Sequence, residues 1–230
     1  MTTTEAPSTN LKEIIKQSYD KIAPAYLQWS LSGPSPRPIY LKHLLDNLTA
    51  GSKVLELGCG NGYPVTQALC ETENIGEIIA NDISEQQIKL TRERCLRWSS
   101  KLELIAGDMM ALNFGEGSLD GVAAFFSIFH LPKNEQQVMF RKIHSWLRPG
   151  AILVCNLGTE DTGTDETARP WTHFQADMYW SGLGIDGSKK TITKAGFELL
   201  AADVLDATED KSDPDYGTKF LWIVAKKAET

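Results

Sequence analysis

Residues 54–62 read Val-Leu-Glu-Leu-Gly-Cys-Gly-Asn-Gly, a mostly apolar run that ends in three glycines at alternate positions, Gly58, Gly60 and Gly62. A helix-compatible segment follows from Tyr63. In α/β sheets, a strand that breaks into glycines before a helix brings bare backbone against a ligand, because glycine allows a sharp turn and a close approach. The stretch therefore predicts an α/β protein with a ligand site after its first strand.

The spacing of these glycines separates possible ligands. The nicotinamide and flavin fingerprint, G-x-G-x-x-G, would need a third glycine where Tyr63 stands. No Gly-Lys-Ser/Thr follows, which excludes a phosphate-binding P-loop. The loop also lacks a lysine or arginine to balance a pyrophosphate. A neutral or cationic ligand fits better, and an NAD-dependent oxidoreductase is disfavoured.

An acidic residue followed by G-x-G-x-G resembles the first motif of the class I S-adenosylmethionine (SAM) methyltransferases. Residues 77–82 read as the next strand, and its last residue, Asp82, lies 20 residues after Gly62, where a ribose-binding carboxylate is expected. Residues 104–109 resemble the family's adenine-contacting segment, and residues 147–151 resemble its turn into strand five. The resemblance covers about residues 15–227.

The order of the apolar segments, in which helices and strands mostly alternate, predicts a doubly wound sheet. With the resemblance, the expected fold is a Rossmann-like, seven-stranded, mostly parallel sheet with helices on both faces and a C-terminal antiparallel hairpin. We expect one domain over residues 11–230, including an N-terminal helical lid at 11–48 and a substrate-side insertion at 158–187. Residues 1–10 are expected to form a disordered tail, and Pro24 is expected to interrupt the first helix.

Composition narrows the function classes. The chain has 230 residues, 42% hydrophobic and 23% charged, as is typical of globular proteins. No apolar run reaches the ~18 residues that cross a membrane, and residues 1–10 do not resemble a signal peptide, so we expect a cytoplasmic protein without a membrane partner. A net charge of −7 argues against a nucleic-acid partner. The four cysteines form no C-x-x-C pair, so we expect no metal.

The resemblance assigns the methionine part of SAM to the glycine loop, the ribose hydroxyls to Asp82, and the adenine to Ile83, Asp108 and Met109. An alternative role for Asp82 is to cap the helix that begins near Ser84, and Asp108 could satisfy its own turn. The complete set of expected cofactor-binding residues is Tyr19, Tyr26, Glu56, Gly58, Cys59, Gly60, Gly62, Asp82, Ile83, Gly107, Asp108, Met109, Phe126 and Ser127.

Two histidines are candidate catalytic residues. His130 follows strand four, beside the expected methyl group, and is the better candidate for a general base. His173 lies in an aromatic segment and is the second candidate. The alternative for His130 is a packing role at the end of the strand. Expected substrate-binding residues come from the same aromatic segment, although such a cluster is also typical of a core: Trp171, His173, Met178, Tyr179 and Trp180.

The expected function is transfer of a methyl group from SAM to a small organic acceptor with an O, N, S or C nucleophile, with S-adenosylhomocysteine (SAH) as product. The aromatic C-terminal segment and the acidic net charge favour a secondary metabolite or an amine-like molecule as the acceptor. One alternative is a SAM-binding enzyme of the same fold that catalyses another reaction, such as a cyclisation. Another is a non-catalytic, SAM-binding regulatory protein. The sequence leaves open the acceptor, the number of methyl transfers and the oligomeric state.

Overall fold

The computed structural model describes residues 7–31, 35–164, 167–208, 210–213 and 215–229. Within these ranges the helices are α1 (Pro7–Ser30), α2 (Arg37–Leu45), α3 (Val65–Glu71), α4 (Glu85–Arg94), α5 (Lys133–Trp146) and α6 (Gly184–Lys194). The strands are β1 (Ser52–Leu57), β2 (Ile75–Asp82), β3 (Leu102–Ala106), β4 (Leu119–Ala124), β5 (Leu147–Gly158), β6 (Arg169–Trp171), β7 (Ala176–Met178), β8 (Phe197–Asp206) and β9 (Lys219–Lys227).

Seven of the described strands form one sheet, in the order β3-β2-β1-β4-β5-β9-β8. Strands β1 to β5 are parallel, whereas β9 is antiparallel to both β5 and β8. The predicted seven-stranded, mostly parallel sheet with a C-terminal antiparallel hairpin is confirmed. Strand order reverses between β1 and β4, and in open α/β sheets ligands bind outside the carboxyl ends of the strands at this point.

The core lies on both faces of the sheet, because successive strand residues point to opposite sides. In β1, Leu55 packs in the layer that contains α5 and α6, whereas its neighbour Val54 packs in the layer that contains α2 and α3. Each layer contains a buried tryptophan, Trp146 in the first and Trp222 in the second, which are 2% and 0% exposed. The strands are thus packed on both faces, and the loops that follow them start from this packed sheet.

The first helix is longer than predicted at both ends. Residues 7–10, expected in the tail, belong to α1, and residues 1–6 lie outside the described ranges. The expected interruption at Pro24 is wrong, because α1 continues through it to Ser30. Proline removes one helical hydrogen bond, but Ile15 and Ile22 are each only 3% exposed, and this packing holds the helix together.

Polar contacts fasten α1 across the carboxyl ends of β2 and β3. Asp20 Oδ1 accepts hydrogen bonds from Ser84 Oγ at 2.7 Å and from the Gln86 backbone N–H at 3.1 Å. Lys12 Nζ lies 2.8 Å from Asp108 Oδ2 and 2.6 Å from Glu135 Oε2. The helix therefore lies over the edge of the sheet where a ligand is expected.

A small hairpin, β6–β7, was not predicted. Its two strands pair in an antiparallel ladder outside the main sheet. Met178 and the adjacent Tyr179 pack against Leu11 and Ile15 of α1, and Ser18 Oγ donates to the Asp177 carbonyl at 2.6 Å. The segment expected as a substrate-side insertion is thus docked on α1.

Candidate active site

The glycine loop follows β1 at the switch point of the sheet. Gly58, Gly60 and Gly62 have φ values of +75°, +54° and +83°, which side chains rarely adopt. The Gly58 N–H donates to the Asn81 carbonyl at 2.8 Å, which ties the loop to the end of β2. A Cβ on Gly58 would lie 2.4 Å from the Cβ of Ser127. Glycine is therefore required at position 58 for two reasons, backbone conformation and close approach.

Asp82 ends β2 beneath the same loop. Its Oδ2 accepts the Gly60 N–H at 2.8 Å, and its Oδ1 accepts the Ser84 N–H at 2.9 Å. Ser84 is the N-cap of α4, since its Oγ accepts the Gln87 N–H, so the capping alternative for Asp82 is wrong. Burial raises the pKa of Asp82 to about 6. Each carboxylate oxygen keeps a second lone pair for a ligand donor.

One cavity, which we call the glycine-loop cavity, is lined by all but one of the expected cofactor-binding residues: Tyr19, Tyr26, Glu56, Gly58, Cys59, Gly60, Asp82, Ile83, Gly107, Asp108, Met109, Phe126 and Ser127. The exception is Gly62. A Cβ there would lie 3.0 Å from Thr91 Cγ2 of α4, so Gly62 serves loop-to-helix packing. His130 also lines this cavity.

Two basic residues that sequence reasoning missed line the glycine-loop cavity as well, Lys12 and Arg37. Lys12 is seven residues before Tyr19, a spacing that puts both on one helix face, so helical periodicity could have found it. The Arg37 guanidinium carbon lies 4.5 Å from the Phe126 ring centroid. Nothing in the proline-rich segment before Arg37 signals this position.

Glu56, inside β1, is a buried carboxyl group in the wall of the glycine-loop cavity. It is 4% exposed, and its Oε2 accepts a hydrogen bond from Thr66 Oγ1 at 2.6 Å. Burial raises the pKa of Glu56 to about 8, because desolvation disfavours the charged form. The carboxyl is therefore largely protonated at neutral pH.

His130 and Tyr19 form a hydrogen-bonded pair at the wall of the cavity. The Tyr19 hydroxyl lies 3.0 Å from His130 Nε2, and His130 Nδ1 lies 2.7 Å from the Tyr179 carbonyl oxygen. A carbonyl only accepts, so Nδ1 carries the proton and Nε2 accepts from Tyr19. Burial lowers the pKa of His130 to about 4. The imidazole is therefore neutral, and the Tyr19 hydroxyl is the group bonded to its Nε2.

A second cavity of about 690 Å³ adjoins the first, and we call it the aromatic cavity. Tyr19, Tyr26 and Phe126 line both cavities. Phe126 has a φ of +52°, and its N–H donates to Asn156 Oδ1 at 2.7 Å. A non-glycine residue held in this region of φ is strained, and such strain is common at functional sites. The volume suits a small organic molecule.

The expected substrate-binding residues divide between cavity and core. Trp171 and Trp180 line the aromatic cavity. Met178 and Tyr179 are 0% and 1% exposed, pack against α1, and line neither cavity, so the structure does not place them in a substrate wall. His173 is exposed, lines neither cavity, and packs its ring on Phe174 at 4.6 Å.

In the described ranges, no group of three or more histidine, cysteine or carboxylate side chains is arranged to hold a metal ion. None of the described helices combines the length and apolar character needed to cross a bilayer.

The chain matches the family model described as "Methyltransferase domain" over residues 54–150, which begins in β1 and ends in β5. It is 29% identical over 185 residues to a sterol 24-C-methyltransferase of Gibberella zeae, a match that covers 77% of this chain. The chain spans 47% of that relative's length.

Two solved structures have the same fold. A 1,6-didemethyltoxoflavin-N1-methyltransferase of Burkholderia thailandensis, bound to 1,6-didemethyltoxoflavin and SAH, superposes with a TM-score of 0.72 at 17% identity, covering 99% of this chain and 93% of that chain. The cyclase SpnF superposes with a TM-score of 0.68 at 17% identity, covering 94% and 96%. At this identity the likeness shows the fold alone. The match to the methyltransferase family model and to curated methyltransferases, with the ordered motifs and this sheet topology, places the chain in the class I SAM-dependent methyltransferase superfamily.

Proposed function

We propose that this protein transfers a methyl group from SAM to a small organic acceptor and releases SAH. One observation carries the proposal: the glycine-loop cavity and the aromatic cavity meet at a wall shared by Tyr19, Tyr26 and Phe126. A methyl donor in the first cavity and an acceptor in the second would face each other there. Positioning of two reactants in this way supplies much of the rate acceleration in a displacement reaction.

The glycine-loop cavity fits a polar ligand such as SAM. Three buried residues in its wall hold side-chain atoms without a hydrogen-bond partner among the described residues: Asn81 Oδ1, both amide atoms of Gln87, and Ser127 Oγ. Buried polar groups are nearly always paired, so these atoms are available to a ligand. Next to them, the free lone pairs of Asp82 suit the two ribose hydroxyls.

The apolar part of the same cavity suits the adenine. Ile83 and Met109 follow β2 and β3, which are neighbours in the sheet, and both line the cavity. The Asp108 carboxylate is engaged by Lys12 at 2.8 Å and by the Met110 N–H at 2.9 Å. Asp108 therefore satisfies its own turn, as the alternative predicted, and also anchors α1 over the cavity.

SAM supplies an electrophilic methyl group on a positively charged sulfur. The chain's part is to align the acceptor, exclude water and take a proton. An acceptor X–H at the shared wall gives its proton to the Tyr19 oxygen while the tyrosine's own proton moves to His130 Nε2. The Tyr179 carbonyl, which accepts from Nδ1, then stabilises the imidazolium. His130 thus serves as the base through Tyr19, and His173 has no part in this step.

The test is calorimetric titration of SAM and SAH into the purified protein, with Asp82→Asn compared to Asp120→Asn. Asp120 is the matched control, since it also accepts a backbone N–H, from Lys53 at 2.8 Å, but at the amino end of β4, away from both cavities. We expect micromolar binding to the wild type, at least about tenfold weaker binding to Asp82→Asn, and unchanged binding to Asp120→Asn. Failure of the wild type to bind either ligand would refute the proposal.

Product mass then separates methyl transfer from other chemistry on this fold, which the likeness to a cyclase makes necessary. Methyl transfer adds one CH₂ to the acceptor and converts SAM to SAH in equal amount. A cyclisation leaves the acceptor mass and the SAM concentration unchanged. The non-catalytic, regulatory alternative predicts SAM binding with no SAH formed from any acceptor.

A further inference from the structure

The wall of the aromatic cavity is unusually rich in rings. Eight of its lining residues are aromatic: Tyr19, Tyr26, Trp29, Phe126, Phe129, Trp171, Trp180 and Phe220. On the α1 side, the ring centroids of Trp171 and Tyr26 are 6.0 Å apart. On the sheet side, Phe129 and Phe220 stack at 5.7 Å. A ligand between these two sides has ring faces and ring edges as its main neighbours, which favours a flat, unsaturated group.

The lining also includes four charged residues: Glu160, Arg169, Asp215 and Lys219. Glu160, Arg169 and Lys219 are exposed. Lys219 also pairs with Asp206, at 3.3 Å. Asp215 is the partly buried member of the set. The least exposed charged residue of the lining is therefore a carboxylate.

The Asp215 carboxylate receives no hydrogen bond and no ion pair from any described residue. Its neighbour Asp213 is different, because it accepts from Trp29 Nε1 at 3.2 Å and from the Asp215 N–H at 2.8 Å. Burial and the charge of Asp213 raise the pKa of Asp215 to about 6, while His173 and Arg37 oppose the shift from a distance. At neutral pH the group is mainly ionised, and a desolvated carboxylate without a partner is costly.

We propose that the acceptor is an organic amine that carries an aromatic ring, with its protonated nitrogen at Asp215 and its ring between the aromatic walls. This inference rests on the proposed function, because it identifies the class of molecule that is methylated. An ammonium group would pair the free carboxylate and would also be attracted by ring faces. A neutral ligand leaves Asp215 unpaired, and an anionic ligand is repelled by it. The nitrogen at Asp215 serves recognition, whereas the methylated atom lies at Tyr19.

The test uses three probes that share an indole ring and differ in charge: tryptamine, tryptophol and indole-3-acetate. Their binding is measured by calorimetry at pH 7.5 with SAH at saturation. We expect tryptamine to bind at least about tenfold more tightly than tryptophol, and indole-3-acetate to bind most weakly. Asp215→Asn should remove the preference for tryptamine. Asp210→Asn is the matched control, because Asp210 lies in the same loop, is exposed and lines neither cavity.

Each outcome decides between the two proposals. Tryptamine binding no tighter than tryptophol, binding of none of the probes, or a preference that survives Asp215→Asn would overturn the amine inference. If SAM and SAH bind normally in those cases, the proposed methyl transfer stands and only the acceptor class is wrong. If tryptamine is preferred but neither SAM nor SAH binds, the amine site stands and the methyl-transfer proposal fails.

Discussion

The raised pKa of Glu56 predicts how the protein's stability changes with pH. Its usual value is 4.5, and burial raises it to about 8 in the folded protein. Well below pH 4.5 the carboxyl is protonated in both the folded and the unfolded chain. As the pH rises, the unfolded chain ionises first, so the wild type loses free energy of unfolding until the pH passes about 8.

Glu56→Gln isolates this effect, because glutamine is nearly isosteric with the protonated carboxyl and can still accept from Thr66 Oγ1. The two pKa values give a loss, from pH 5 to pH 8, of about 3–4 kcal/mol for the wild type relative to the variant. We expect similar stabilities near pH 5 and a clearly more stable variant at pH 8, without SAM present.

Urea unfolding followed by circular dichroism at pH 5, 6, 7 and 8 measures the difference. Glu103→Gln, which removes an exposed glutamate from β3, controls for the change in net charge. A stability difference between wild type and Glu56→Gln that stays constant across this range would show that Glu56 is not a neutral, buried carboxyl.

Three further predictions concern the glycine loop, α1 and the proton path. Gly58→Ala should lower the free energy of unfolding by about 2–4 kcal/mol and abolish SAM binding. A Cβ at Gly60 would meet no atom within 4 Å, so Gly60→Ala should lower the free energy of unfolding by only about 1 kcal/mol. Equal losses for the two variants in urea titrations would contradict this. Tyr19→Phe should lower kcat about 10²-fold while SAM affinity stays within twofold of the wild type, because the variant lacks the hydroxyl that connects His130 to the acceptor. Unchanged turnover would show that Tyr19 and His130 take no part in the proton transfer. Lys12→Met should speed amide hydrogen exchange in α1 but not in β4. Equal exchange rates in wild type and variant would show that the ion pairs of Lys12 do not hold α1 in place.

The sheet could be predicted from sequence because each of its strands carries a strong local signal. The alternation of apolar segments predicted a doubly wound, mostly parallel sheet, and the resemblance carried by the glycine loop and later motifs added the seven-stranded fold. The short strands of β6–β7 lie in a polar and aromatic segment and are stabilised by α1, so no local pattern reveals them. The course of α1 through Pro24 likewise depends on packing, since local propensity predicts a break there.

The glycine-loop cavity could be predicted better than the aromatic cavity for a topological reason. The carboxyl ends of neighbouring parallel strands meet at one edge, so residues that directly follow β1, β2 and β3 must converge. Arg37, Asp215 and Phe220 reach the site from distant segments, and only the tertiary structure brings them together. Met178 and Tyr179, in contrast, were predicted to bind substrate but pack in the core. Aromatic and sulfur-containing side chains are as common in a core as in a ligand-binding wall, so their type alone does not decide between the two.

Residues of α1 form part of the wall of both cavities. If SAH leaves past this helix after each turnover, the same movement also uncovers the acceptor. Under the proposed function, each renewal of the methyl donor therefore gives the partly modified molecule a chance to escape. An enzyme built in this way is expected to act distributively, with singly methylated intermediates accumulating in solution before any second methylation.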